Sequence, residues 1–513
     1  MAEPVSTQAL GAVLIPSPVK IFQGYDSVTG RGLSTAVTGE TQSVGGTSTS
    51  AYNVCTDLEK LSTSLEINQS LSIGFGPFGS FDEKMQFVYN LNVTTYSVSI
   101  VVHARHFGRK EVMTNVRLER GINPPKGNTE LQNFFRSYGD SFLGSVTYGG
   151  DYDAVYTFYS ETREEQIALT ADMKANGIFE GGTLDASLQT KISNMTSSSK
   201  TRVSFSQRVS GLKNPDLPDS NHVIDYAIKF PSIPLDEPAI ITFDTQGYEH
   251  VPDFGDFQPV AKNRDFFVGN GVVGGLTRPL VQIQQVENQI TSIKTIYYAY
   301  GGYADVKLVS NGNQSDTDHK TINRMLEAFE SNPTQTFTTP DLPSLKNGTP
   351  ALNCQISHSQ AYGGAGGGPF DDVDAAGFRS FVSQQTMIIT VQLRSGSRID
   401  KLLTTYQNTT GKTWTEQHGG NGGTLSGKLN LLPGQFIKNV SGRSGARVDH
   451  LTITAVSGEK IDGGGGGGSA FNWTVPAGTF MLGFSGRSGN ELDQIQFVFG
   501  KFDPATWTPL KLN

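Results

Sequence analysis

The chain has 513 residues, which is enough for two or three domains. Its net charge is −8, only 17% of its residues are charged, and it has no block of Lys and Arg, which excludes the basic surface that nucleic acid requires. Cys55 and Cys354 are too few for a disulfide framework, and the sequence leaves open whether they pair. No apolar run approaches about 18 residues, so we predict no transmembrane helix.

The first informative region lies at 65–93, because residues 1–55 are rich in Ser, Thr and Gly and show little pattern. Apolar residues occupy alternate positions on both sides of a glycine-rich bend at 76–84. They are Leu65, Ile67, Leu71, Ile73, Phe75, Met85, Phe87, Tyr89, Leu91 and Val93. This alternation predicts a two-stranded hairpin with one apolar and one polar face.

A second alternating region lies at 167–192, around a bend at 177–182. Each arm has about 9–11 residues, the length at which a tilted strand crosses a hydrocarbon layer. An apolar row opposite a polar row is what a membrane-spanning β-strand requires, although a half-buried sheet of a soluble protein gives the same alternation. Residues 161–174 also favour a helix. Because four strands are too few to enclose a pore, insertion would require an oligomer.

Between these regions lies the phrase Tyr-Gly-Asp-Ser-Phe, followed by a glycine pair. It resembles the signature of the MACPF (membrane attack complex/perforin) family, aromatic-Gly-Thr-His-aromatic, and has Asp and Ser where Thr and His are commonest. The resemblance covers about 20–340. The residues that carry it are Tyr138, Gly139, Asp140, Ser141, Phe142, Gly149 and Gly150.

The MACPF resemblance implies an α+β N-terminal domain, 1–340, with a bent antiparallel sheet flanked by two helix clusters. In that family the clusters unfurl into β-hairpins after a homo-oligomeric ring has assembled on membrane lipid. The corresponding segments here are 65–93 and 167–192. The glycine pair fits the bend of the sheet, since a bend in a strand is where glycine is tolerated.

The rest of this region predicts strands, one helix and a linker. Residues 203–206, 239–243 and 295–300 are β-rich and indicate further sheet. Apolar residues at helical spacing predict a helix over 317–330. A stretch rich in Pro and Thr follows, and we place the linker between the two domains at 341–358.

The phrase Arg-Ser-Gly-x-x-(aliphatic)-Asp occurs three times near the C-terminus, with its glycines 49 and 44 residues apart. It alternates with glycine clusters that begin at Gly363, Gly419 and Gly463. A unit of about 45 residues therefore recurs three times. Short strands broken by glycine turns predict antiparallel sheets, and three such units around an axis would cover most of their exposed edges.

Two phrases, Gly-Gly-Gly-Pro-Phe-Asp at 366–371 and Gly-Arg-Ser-Gly-Asn-Glu-Leu-Asp at 486–493, resemble the jacalin-like lectins. The resemblance implies an all-β C-terminal domain, 359–513, folded as a β-prism with pseudo-threefold symmetry. It also implies hexose binding between a glycine loop and a Gly-x-x-x-Asp loop. The expected carbohydrate-binding residues are Gly366, Gly367, Gly489, Asn490 and Asp493, then Gly422, Gly423, Gly396 and Asp400, then Gly467, Gly468, Gly445 and Asp449.

Motifs for catalysis, cofactors or metals are weak. The dinucleotide-like pattern at 74–79 contains Pro77 and opens no helix, the histidines lack metal-ligand spacing, and no Gly-x-Ser-x-Gly phrase occurs. Asp371, Asp372 and Asp374 are interpreted as surface loop acids rather than calcium ligands. We therefore predict no enzyme activity, no metal and no cofactor.

Together the two resemblances predict a pore-forming toxin of insecticidal type whose lectin domain binds glycans or a glycoprotein receptor on the target cell. Since the first residues lack a basic region and an apolar core, we expect release from a bacterium as a soluble monomer without a signal peptide, followed by attachment to the target-cell membrane. Two alternatives stay open: a non-lytic glycan-binding adhesion or effector protein, and a carbohydrate-active enzyme with a lectin appendage.

Overall fold

The computed structural model describes residues 8–9, 20–66, 87–88, 90–199, 201–269 and 275–510. Its N-terminal part is mixed α/β and its C-terminal part is built mainly of strands. The helices are α1 Leu58–Ser64, α2 Asn128–Tyr138, α3 Arg163–Ala175, α4 Ala186–Ser198, α5 Val223–Lys229, α6 Gln258–Val268, α7 Thr277–Ala299, α8 Val306–Ser331, α9 Pro343–Lys346, α10 Asp372–Ala375 and α11 Phe378–Ser383.

The strands fall into an N-terminal and a C-terminal set. The first set is β1 Gln8–Ala9, β2 Gln23–Asp26, β3 Arg31–Thr35, β4 Val37–Val44, β5 Thr49–Cys55, β6 Val98–Leu118, β7 Ser141–Tyr159, β8 Gly181–Thr183, β9 Arg202–Val209 and β10 Ala239–Gly247. The second set is β11 Thr349–Ala351, β12 Cys354–His358, β13 Tyr362–Gly363, β14 Gly368–Asp371, β15 Met387–Ser395, β16 Ile399–Gln407, β17 Thr413–Gly419, β18 Thr424–Leu425, β19 Leu429–Asn430, β20 Ile437–Ser444, β21 Val448–Ala455, β22 Lys460–Gly464, β23 Ser469–Thr474, β24 Phe480–Ser488, β25 Leu492–Phe502 and β26 Thr506–Thr508.

Two long antiparallel strands, β6 and β7, form the centre of the N-terminal sheet. Their outer partners change halfway along: β7 pairs with β10 up to and including Gly149 and with β9 from Tyr152 onward. The register between β6 and β7 shifts at the same level, between Phe107 and Arg109. A Cβ on Gly149 would overlap the carbonyl oxygen of His106, so the two backbones can approach here only because the residue is glycine. Register shifts of this kind increase local twist.

Helices cover both faces of this sheet where β7 pairs with β9. On one face Tyr152, Tyr156 and Phe158 pack with buried residues of α3, α4 and α5. On the other face Val101 and Val155 pack with α1 and with residues around 87–93. Most of the first predicted hairpin, 67–86 together with residue 89, lies outside the described residues. The α+β prediction for the N-terminal region is confirmed at the level of a mixed α/β architecture.

The second alternating segment is helical in this structure. It forms α3, the short strand β8 and α4, and β8 pairs with β5 at the sheet edge. Leu169, Met173 and Ile192 are buried, while Ile167 is exposed. The apolar residues therefore lie at helical spacing on the buried side, as the helical alternative for 161–174 predicts.

Other local predictions have mixed outcomes. The strands at 203–206 and 239–243 are confirmed within β9 and β10, and the helix at 317–330 is confirmed within α8. The prediction of a strand at 295–300 is wrong. These residues end α7, where Ile293, Ile296 and Tyr297 are buried on one side of the helix. Tertiary burial outweighed their β-propensity. The predicted linker, 341–358, contains α9, β11 and β12.

The C-terminal region is built from three antiparallel hairpins: β15–β16, β20–β21 and β24–β25. Each hairpin shows a register shift at the first arginine of its repeated phrase, at Arg394, Arg443 and Arg487. Outer strands from the glycine-rich segments complete each sheet, and β14 joins β24, so the first glycine segment pairs with the last hairpin. This agrees with the predicted three sheets around one axis.

A single apolar cluster continues from α7 and α8 into the three sheets. Tyr300, just after α7, stacks on Phe480 of β24 with ring centroids 4.5 Å apart. Asp305 caps α8 by accepting from the N–H of Leu308 and also accepts from the N–H of Ala505. Within the described residues, no helix is both long enough and apolar enough to cross a membrane. Both cysteines are free thiols.

Candidate functional site

The repeated phrases and the glycine clusters meet at one end of the three sheets. Each phrase forms the loop of its hairpin, and each cluster links the two outer strands of the same sheet. A Cβ on Gly366 would overlap one carboxylate oxygen of Asp493, and a Cβ on Gly367 would lie 2.6 Å from the other oxygen. In the same way, a Cβ on Gly422 or Gly423 would come too close to the Asp400 carboxylate, and a Cβ on Gly467 or Gly468 too close to the Asp449 carboxylate. The structure thus brings together the three pairings expected from chain order.

We call each of these three sites a cradle and name it by its aspartate: Asp493, Asp400 or Asp449. The loop glycine of the repeated phrase lies opposite the glycine pair in each cradle. A Cβ on Gly489 would lie 3.7 Å from the Cα of Gly367, and the corresponding distances are 3.9 Å from Gly396 to Gly423 and 3.6 Å from Gly445 to Gly468. Asn490 follows Gly489 at the tip of its loop. Two backbone segments therefore approach each other closely at an aspartate, three times around one axis.

Each cradle presents donors and an acceptor together. Among the described residues, the N–H groups of the glycine pairs 366–367, 422–423 and 467–468 donate to no protein acceptor. The aspartate beside each pair supplies carboxylate oxygens, which accept only. Asp493 is 3% exposed and Asp449 is 8% exposed, whereas Asp400 is half-buried. Such an arrangement can bind a small molecule that carries adjacent hydroxyl groups, since each hydroxyl both donates and accepts.

The first arginine of each phrase holds the glycine cluster in place, a role that the sequence analysis missed. Arg487 donates from Nε to the carbonyl of Gly366 at 3.0 Å and from Nη2 to the carbonyl of Gly367 at 2.7 Å. Arg394 and Arg443 make the same two bonds to their own clusters, at 2.7–3.3 Å. The recurrence of arginine at the start of all three phrases was the available signal.

The signature residues at 138–142 lie at the start of a central strand of the N-terminal sheet and make buried contacts with the turn after β2. Asp140 accepts from the Ser27 hydroxyl at 2.7 Å and from the Ser27 N–H, and Ser141 donates to the carbonyl of Tyr25. Burial, together with the nearby Asp26 carboxylate, raises the pKa of Asp140 to about 7. A Cβ on Gly139 would overlap the Tyr25 carbonyl. These contacts join the α2–β7 junction to the β2–β3 turn.

Phe142 and Tyr138 extend these contacts into the core. Phe142 is fully buried and lies against Tyr248, with ring centroids 5.2 Å apart. Tyr248 in turn donates from its hydroxyl to the carbonyl of Tyr138 at 3.0 Å. Gly150 and Gly149 sit on β7, where the outer strands change. The structure therefore assigns packing contacts to these residues.

One cluster of metal-ligand type was also missed, because Asp372 is 46 residues from His418 in the sequence. Asp372, Glu416 and His418 place potential ligand atoms within 4.8 Å of one another. Asp372 lies 2.6 Å from His418 Nε2 and accepts from the Tyr406 hydroxyl, and the His418 ring stacks on Phe370. Burial and the charge of Asp372 raise the pKa of Glu416. The interpretation of Asp372 as a surface loop acid is wrong, because it is 3% exposed.

Comparisons with known proteins concern this C-terminal region. Residues 359–498 match the jacalin-like lectin domain family. The chain is similar to the structure of the wild-type Malaysian banana lectin, with 23% identity and a TM-score of 0.24 over 29% of this chain and 99% of that chain. A mannose-binding jacalin-related lectin from Ananas comosus has 23% identity and a TM-score of 0.23 over 28% of this chain and 96% of that chain.

A mannose-binding lectin from Champedak has 24% identity and a TM-score of 0.24 over 28% of this chain and 96% of that chain. No curated protein matches the chain. The family match covers all three repeated phrases and all three glycine clusters, together with the cradles that they form. Residues 359–498 are therefore a jacalin-like lectin domain.

Proposed function

We propose that the lectin domain binds hexoses of cell-surface glycans at up to three cradles, those of Asp493, Asp449 and Asp400. The observation that carries this proposal is the convergence, at each cradle, of unbonded glycine N–H groups with a carboxylate. A methyl group added at either glycine would fill the space, so only glycine leaves room for a ligand against the backbone. A buried hydroxyl needs both a donor and an acceptor, and each cradle supplies both.

The test is glycan-array binding of the full chain and of the triple variant Asp400→Asn, Asp449→Asn, Asp493→Asn. We expect binding to fall at least about tenfold, because charge-assisted hydrogen bonds are roughly twice as strong as neutral ones. Asp462→Asn is the control, since Asp462 is an exposed carboxylate on the same domain. Unchanged binding by the triple variant would refute hexose binding at these cradles.

We also propose that the N-terminal region is a MACPF-like pore-forming module. Monomers released from a bacterium would attach through the lectin domain, assemble into a ring and insert 65–93 and 167–192 as β-hairpins, with insect cells as a plausible class of target. Multivalent attachment raises avidity when single-site binding is weak. No covalent chemistry is needed. The observation that favours this function is that 167–192 packs as helices while its sequence also alternates as a strand does.

The pairing of β8 with β5 offers a reversible lock for this segment. Thr183 lies opposite Ala51 in the antiparallel register. Directly opposite residues have Cα atoms about 4.5–5.5 Å apart, within the range that a disulfide bridges. The double variant Ala51→Cys, Thr183→Cys is therefore expected to hold α3, β8 and α4 on the folded body when oxidised.

Dye release from vesicles made with target-cell glycolipids measures insertion. We expect release to fall at least tenfold on oxidation and to return with a reductant, because a tethered segment cannot enter lipid. The single variant Thr183→Cys controls for the substitution itself. Full release by the oxidised double variant would contradict insertion of 167–192, and no release by the native chain would favour the non-lytic alternative.

A further inference from the structure

The second variable position of the repeated phrase, its fifth residue, brings three charged residues together at the pseudo-threefold axis. These equivalent residues are Arg398, Arg447 and Glu491. Glu491 accepts from Arg398 Nη1 at 3.1 Å and lies 3.3 Å from Arg447 Nε. Two repeats thus contribute a cation at this position, and the third contributes an anion that bridges both cations.

Each arginine also reaches the aspartate of the neighbouring repeat. Arg447 Nη1 lies 2.8 Å from an Asp493 oxygen, and Arg398 Nε lies 3.6 Å from an Asp449 oxygen. A Cβ on Gly366 would lie 3.1 Å from Arg447 Nη1, so this guanidinium borders the Asp493 cradle. The side chains of Arg447 and Arg398 are 38% and 48% exposed. Within the described residues, neither Nη2 group donates a hydrogen bond.

The same cyclic packing places the third phrase against the remaining cradle. A Cβ on Gly420 would overlap the carbonyl of Asn490, just as one on Gly364 would approach the carbonyl of Ala446 and one on Gly465 that of Ser397. Each phrase therefore packs on the glycine cluster of a neighbouring cradle. Glu491 follows Asn490 and is the residue of this phrase equivalent to the two arginines, and its carboxylate contacts Arg398 and Arg447.

We propose that the cradles differ in the charge of the glycan they accept. The Asp493 and Asp449 cradles take hexoses that carry an anionic group, such as a carboxylate or sulfate, and the Asp400 cradle takes uncharged hexoses. An exposed guanidinium beside the ligand attracts an anion, whereas the equivalent residue of the phrase that packs on the Asp400 cradle is the acid Glu491. Lys401 donates from its ammonium to Asn421 of the same glycine cluster at 2.8 Å, so it adds a cation near the Asp400 cradle and lowers the expected contrast. The inference rests on the proposed carbohydrate binding.

Two double variants that each keep one cradle aspartate allow the binding at each cradle to be measured alone. Asp400→Asn with Asp449→Asn leaves the Asp493 cradle, and Asp449→Asn with Asp493→Asn leaves the Asp400 cradle. Calorimetry compares a neutral methyl hexoside with its 6-sulfate and with the corresponding uronic acid. We expect the preference for the anionic probes to be about fivefold greater at the Asp493 cradle, the effect of one favourable partly exposed charge pair.

Arg447→Met in the Asp493-only protein should abolish that difference, measured as the ratio of the anionic-probe Kd to the neutral-probe Kd within the same protein, because methionine keeps the apolar stem and removes the charge. Equal preferences at both cradles, or a preference that survives Arg447→Met, would overturn the inference although hexoses still bind. If no probe binds either single-site protein, the proposed carbohydrate binding itself fails, and the inference fails with it.

Discussion

Within one glycine cluster of the lectin domain, glycine is required at one position and not at the position before it. Gly467 lies where a Cβ would come within 2.8 Å of an Asp449 oxygen, whereas a Cβ on Gly466 would meet nothing within 4 Å. The equivalents of Gly466 in the other two clusters are Ala365 and Asn421, so this position already tolerates side chains. Close approach to the carboxylate, rather than flexibility of the cluster as a whole, explains why glycine is needed at Gly467.

This contrast gives a residue-scale prediction. Gly467→Ala should weaken hexose binding at the Asp449 cradle by at least about tenfold, because the added methyl group displaces the carboxylate and fills the cradle. Calorimetry on a protein that retains only this cradle, made with Asp400→Asn and Asp493→Asn, is the measurement. Gly466→Ala is the matched control and should bind within about twofold of its parent. Equal affinities for the two glycine variants would contradict the geometry.

The sequence analysis found the signature residues but not their contacts. Asp140 lies where threonine is commoner in the family that the signature resembles, and the structure shows why an acid fits: it accepts from both the N–H and the hydroxyl of Ser27. Ser27 is 113 residues earlier in the chain. No local pattern could have paired two residues so far apart.

At the scale of elements, the segment 167–192 shows how one sequence satisfies two periodicities. Leu169 and Met173 are four residues apart, and so are Leu188 and Ile192; a spacing of four fits both a helix face and every second position of a strand. The helix is also favoured at its start, where Thr162 accepts from the N–H of Glu165. The choice between helix and strand therefore depends on what the apolar face packs against.

A buried acid links this segment to α7. Glu161, just before α3, accepts from the Ser292 hydroxyl at 2.6 Å and from Gln289 Nε2 at 2.8 Å. Burial raises the pKa of Glu161 to about 8, with a smaller contribution from the Glu165 carboxylate. The folded chain therefore holds this proton at neutral pH, whereas the unfolded chain releases it near pH 4.5.

The element-scale prediction concerns pH. Because the folded-state pKa is raised, the free energy of unfolding should fall as pH rises from about 5 to 8, by up to about 1.4 kcal/mol per pH unit from this group. Glu161→Gln should make the dependence of Tm on pH shallower, as measured by differential scanning calorimetry. Asp140 acts in the same direction, so some slope should remain. The exposed Glu327→Gln is the control, and identical slopes for native chain and Glu161→Gln would refute the assignment.

At the scale of the whole molecule, the two parts share one apolar cluster. Tyr300 stacks on Phe480 and donates from its hydroxyl to the Thr386 carbonyl at 2.8 Å, so it joins α7 to two segments of the lectin domain. Glu165 near the start of α3 also accepts from the Ser383 hydroxyl at 2.8 Å. Buried contacts of this kind favour cooperative unfolding of both parts.

The whole-molecule prediction is that Tyr300→Ala uncouples the two parts. Loss of the ring should cost about 3–5 kcal/mol and leave the Thr386 carbonyl without this donor. We expect a single calorimetric transition in the native chain and two in the variant. Tyr298→Ala, two residues away and 85% exposed in the native chain, should keep the single transition. Two transitions already present in the native chain would contradict the prediction.

The sequence by itself determined the threefold repeat, the jacalin-like resemblance and the pairing of each glycine cluster with its aspartate. These are encoded locally, because a turn that needs glycine and a loop that needs Arg-Ser-Gly recur at a regular period. Only the tertiary structure decided that 295–300 is helical, that Asp372 is buried, and that Arg398, Arg447 and Glu491 meet on the axis. Each of these depends on residues distant in sequence, whose burial and charge exist only once the units have packed together.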